Sequence, residues 1–71
     1  MTKKDIFATI KEVNEIADEM TAYEVGSKEY DHLSEMIGWY LEGIVDGTRH
    51  WYNRPAIHLS RRTGHYWVTF P

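Results

Sequence analysis

The apolar residues of this chain change their repeat once. Before residue 48 they recur every three or four positions, and after Pro55 they recur every second position. A repeat of 3–4 marks a helix with one buried stripe, and a repeat of 2 marks a strand with one buried face. The chain is therefore expected to build helices first and a sheet second, and 71 residues leave room for a single domain, 1–71.

The first helical stretch is read as 3–23. Ile6, Ile10, Val13, Ala17 and Met20 follow one another at spacings of 4, 3, 4 and 3, with Phe7 and Ile16 widening the apolar face. Thr2, with Asp5 three residues later, has the form of a capping box, and Asp5 also suits the positive end of a helix. Gly26 is placed to stop the chain and Ser27 to cap the next helix. That second helix is read as 28–45, on the stripe Tyr30, Leu33, Ile37, Tyr40 and Ile44, with Met36, Trp39 and Leu41 beside it. The short link makes an antiparallel helical hairpin. Gly38 and Gly43 each cost about 1 kcal/mol relative to Ala inside a helix. Close approach of another backbone, such as the sheet, is the first explanation; self-association through a glycine-bearing face is the second. Asp46-Gly47 ends the helix.

Ala56–Ser60 and His65–Phe70 alternate, separated by Arg61-Arg62-Thr63-Gly64. A four-residue loop with Gly near its end suits a β-hairpin over 56–70. In that register Leu59 faces Tyr66, Ile57 faces Val68 and Pro55 faces Phe70, and these six share the inner face. His58 lies opposite Trp67 and Ser60 opposite His65 on the outer face. Residues 49–52 are a candidate third strand. The expected fold is α+β: an N-terminal antiparallel helical hairpin packed on a C-terminal two- or three-stranded antiparallel sheet.

A chain this short holds a small core, and it has no Cys to staple it. Ten aromatic residues point to dense packing as the source of stability. No apolar run approaches the roughly 20 residues needed to cross a bilayer, and the opening residues lack an apolar signal core, so a soluble cytoplasmic protein is expected.

Charge is sorted along the chain. Residues 1–46 carry all eleven carboxylates against four lysines, a net of −7, whereas residues 47–71 carry four arginines and no acid. Opposite poles of this kind attract charged partners. On the second helix Asp31, Glu35, Glu42 and Asp46 follow at spacings of 4, 7 and 4, which places them on one side. Such a row docks on a basic protein surface, imitates nucleic-acid phosphates, or keeps a solvated face soluble. Arg61 and Arg62 occupy the hairpin tip, and Trp67 its outer face. Arg with aromatic side chains suits a protein hot spot, a phosphate clamp or a base-stacking platform. His32, His50, His58 and His65 match no metal-ligand spacing, and no thiol completes a set, so neither a metal nor another cofactor is expected.

Three resemblances bear on function. The hairpin with two arginines at its tip resembles the wing of a winged-helix domain, which implies nucleic-acid contact, although no third helix is present and the second helix is acidic. The segment Leu59-Ser60-Arg61-Arg62-Thr63-Gly64-His65-Tyr66-Trp67-Val68 resembles the sheet region of RelE/YoeB-type ribonuclease toxins. That implies RNA cleavage by arginine and histidine, although the opening strand of that family is missing. Size, charge and the lack of a catalytic signature are similar to those of small accessory proteins of phages and mobile elements. The leading expectation is a non-enzymatic regulator or inhibitor that binds a larger protein with a basic surface. It would dock through Asp31, Glu35, Glu42 and Asp46, through Arg61, Arg62 and Trp67, or through both. The alternative is a homodimeric nucleic-acid-binding regulator that uses the basic hairpin, and the ribonuclease ranks last.

Overall fold

The Thr2 hydroxyl accepts a hydrogen bond from the Asp5 backbone N–H at 3.2 Å, and the Asp5 carboxylate accepts one from the Thr2 N–H at 2.8 Å. This reciprocal cap starts α1, Lys3–Met20. The Thr2 backbone N–H, followed by the Thr2 side chain, holds the Asp5 carboxyl below its ordinary pKa. In the computed structural model, which describes residues 1–71, α1 is followed by α2, Lys28–Gly47, β1, Ala56–Leu59, and β2, Tyr66–Thr69.

The first helix ends at Met20, not at Tyr23. The N–H groups of Thr21, Ala22 and Tyr23 reach back only three residues, to Asp18, Glu19 and Met20, so the last turn tightens and stops propagating. Gly26 then takes φ +90°, a left-handed conformation that costs glycine little. The Ser27 hydroxyl accepts from the Tyr30 N–H at 3.2 Å and caps α2. At its far end α2 continues past Val45 to Gly47. Thr48 closes it, with its N–H donating to the Ile44 carbonyl at 3.0 Å and its hydroxyl donating to the same oxygen at 2.8 Å.

A third strand over 49–52 does not form, and the sheet has two strands. The reason is local: the Arg49 N–H bonds the Asp46 carbonyl and the Trp51 N–H bonds the Thr48 carbonyl, so these donors are spent in turns and not in a ladder.

β1 and β2 pair antiparallel with Ile57 opposite Val68, His58 opposite Trp67 and Leu59 opposite Tyr66, the register expected from alternation. The loop closes with Ser60 N–H donating to the His65 carbonyl at 2.9 Å, and Gly64 sits at φ +76°.

The apolar stripes meet in two clusters. Ile6, Ile10 and Ile44 lie under Trp51, Ile57, Tyr66, Val68 and Phe70. Val13, Ile16, Leu33 and Ile37 form the second cluster, at which only Tyr66 arrives from the sheet. The lengths explain the division. Four-residue strands reach about 13 Å, whereas helices of 18 and 20 residues reach about 27–30 Å. The hairpin covers one half of the helical pair, and Leu59, expected on the inner face, is left 48% exposed. The buried core itself is aliphatic, and aromatic side chains pack half-buried around it: Tyr40 and Tyr66 on one cluster, Trp51, Tyr66 and Phe70 on the other.

Candidate protein-docking surfaces

Helix α2 buries Leu33, Ile37 and Ile44, and at 100° per residue Asp31, Glu35, Glu42 and Asp46 fall on the opposite side. All four are exposed. Asp46 accepts a hydrogen bond from the Arg49 guanidinium at 2.6 Å, whereas Asp31, Glu35 and Glu42 have no ion-pair partner. The ridge therefore keeps most of its negative charge. Asp31 with Glu35 and Glu42 with Asp46 also repel one another across single turns.

Trp39 belongs to this surface. It is 60% exposed and lies one turn after Glu35 and one turn before Glu42. Its ring meets His32 edge-on with centroids 6.5 Å apart, and His32, Met36, Trp39 and Tyr40 line a shallow depression. In the sequence Trp39 reads as a flank of the buried stripe. Its spacing from Glu35 and Glu42 was the available signal that it lies with the acids.

Gly38 and Gly43 do not mark a close approach. A Cβ at either position would meet nothing within 4 Å. The tight glycine is Gly47, where the Met1 Sδ lies 3.0 Å from such an atom. The explanation by a neighbouring backbone at Gly38 and Gly43 is therefore overturned.

On the hairpin, Arg61 and Arg62 are exposed in the turn and pair with no carboxylate. Trp67 stacks on His58 with centroids 5.0 Å apart and an interplanar angle of 21°, and His58 Nε2 lies 2.8 Å from the Thr69 hydroxyl. One face of the Trp67 ring is thus already occupied. Arg54 reaches the Val45 carbonyl at 3.4 Å. Of the four arginines only Arg49 meets an acid of the same chain, so the opposite charges do not cancel on folding.

The histidines are dispersed. His65 Nε2 donates to the Asp18 carboxylate at 2.6 Å and ties the hairpin to α1. His58 stays on the outer sheet face, His32 lies against Trp39, and His50 is in the turn that replaces the third strand. No three His, Asp or Glu side chains are grouped to hold a metal ion. No helix is long and apolar enough to cross a membrane.

No protein-family model, no curated protein and no solved structure matches this chain.

Proposed function

We propose that this chain is a small non-enzymatic regulator that binds a larger protein through the outer face of α2. The observation that carries this reading is a half-exposed tryptophan, Trp39, set among carboxylates of which Asp31, Glu35 and Glu42 have no cation of their own. Rows of like charge cost a few tenths of a kcal/mol per pair in the free protein, and a basic partner would relieve that cost. A large aromatic ring at the edge of such a row has the composition of a binding hot spot, with the acids steering encounter and the ring supplying buried area. The Arg61, Arg62 and Trp67 edge is a second, separate contact surface.

The test is capture of a partner by the tagged protein at low and moderate salt, followed by mass spectrometry. Glu35→Lys combined with Glu42→Lys should abolish capture, and Trp39→Ala should weaken the purified complex by about 30-fold, a hot-spot loss. Affinity should also fall as salt rises. A partner that binds both variants as well as the wild type removes the acidic face from the account. Micromolar binding to random duplex or single-stranded nucleic acid, lost steeply with salt and lost in Arg61→Ala with Arg62→Ala, would replace it with the nucleic-acid reading.

A further inference from the structure

The short hairpin leaves an open groove over the second core cluster. It has a volume of about 660 Å³, with Ala17 and Met20 of α1, Ile37 and Gly38 of α2, and Leu59 and Tyr66 of the hairpin among its lining. Tyr23 and Val25 of the inter-helix link close one end, and Val25 is 82% exposed. This apolar surface has no occupant within the chain.

We infer that the groove is the interface of a symmetric homodimer, covered by the same groove of a second copy. One observation selects a second copy: the arrangement of unpaired charge round the groove.

The groove has one acidic and one basic border. Glu24 stands between the lining residues Tyr23 and Val25, and Asp31 follows the lining residue Tyr30; neither has an ion-pair partner. On the hairpin side, Arg61 and Arg62 sit in the turn whose Thr63 and Gly64 line the groove, and they too are unpaired. A two-fold axis lying in the interface brings the acidic border of one copy over the basic border of the other, twice. One patch thus carries both halves of its own complement. The dimer takes up Asp31, Arg61 and Arg62, whereas Glu35, Glu42, Asp46 and Trp39 lie further round α2 and leave the rest of the docking face proposed above free.

The two helical glycines provide the test. Both are open in the single chain, but only Gly38 lines the groove. Sedimentation equilibrium of the full chain should give twice the 8.4 kDa chain mass at micromolar concentration. Gly38→Gln should fold with unchanged helical circular dichroism, yet raise the dimer dissociation constant at least 10-fold. Gly43→Gln should leave that constant within 2-fold. Arg61→Glu with Arg62→Glu should also weaken the dimer, and adding Glu24→Arg with Asp31→Arg should restore it. A wild-type chain that is monomeric at every concentration overturns the inference. So does a dimer indifferent to Gly38→Gln, or one that the four-fold charge swap fails to restore.

Discussion

Replacing Asn14 by Ala should loosen the hairpin from α1 at a cost that can be calculated. Tyr66 lies opposite Leu59 at a non-hydrogen-bonded position of the ladder, flanked by the bonded pair of Ser60 and His65, so its N–H and carbonyl point away from β1. The Asn14 amide takes both: its oxygen accepts from the Tyr66 N–H at 2.7 Å, and its nitrogen donates to the Tyr66 carbonyl at 3.0 Å. The site is half-buried. Two lost hydrogen bonds at about 1 kcal/mol each give about 2 kcal/mol. Against a total of about 4–11 kcal/mol for 71 residues, that is a large share. With an unfolding entropy near 2.1 cal/mol/K per residue, the midpoint should fall by about 13 °C. Thermal unfolding by circular dichroism at fixed, low protein concentration measures this, and concentration must be held constant if the chain self-associates. Native-state hydrogen exchange should also show faster exchange across β2 than across α2 in the variant. A midpoint that drops by less than about 3 °C would refute the claim that one amide fastens the sheet to the helix.

Three further outcomes follow from α2 and from the cap of α1. Gly43→Ala should stabilise the chain by about 0.5–1 kcal/mol, since the added methyl meets nothing and the helix gains propensity; chemical denaturation measures it, and a loss of stability would reveal a neighbour at that position. The folded pKa of Asp5 is depressed, so its contribution is present above the unfolded value, near 3.9, and is lost as pH falls below that into the folded range. Denaturation midpoints of the wild type should therefore decline on acidification more steeply than those of Asp5→Asn, and parallel curves would remove the carboxylate from the cap. Thr2→Ala should cost about 1 kcal/mol at neutral pH.

Most of the architecture was readable because it depends on neighbours in the chain. Thr2 with Asp5 and Ser27 with Tyr30 are contacts across three residues, and both form as the sequence suggests. The inner and outer faces of the hairpin follow from alternation, since a one-residue slip would turn Ile57 and Val68 outward. Residues 49–52 misled because an aromatic pair before a proline has strand character, whereas the competing turn bonds of Arg49 and Trp51 depend on how Thr48 ends α2. The acidic ridge was legible as spacing, but that only Asp46 of its four acids finds a cation was not. Ion pairing depends on where Arg49 and Arg61 come to rest, and only Arg49 comes to rest beside an acid.

The sequence by itself determined the helices, the hairpin register and the side of α2 that bears the acids, because hydrophobic period and capping act within a few residues. Tertiary structure alone decided how far the sheet extends over the helices. Four-residue strands cannot cover helices of 18 and 20 residues, so Leu59, Gly38 and Tyr23 border an uncovered apolar groove that no local pattern foretold. It also decided that a clamp from Asn14 to Tyr66, 52 residues apart, would fasten the hairpin, since distant groups meet only after the chain has folded.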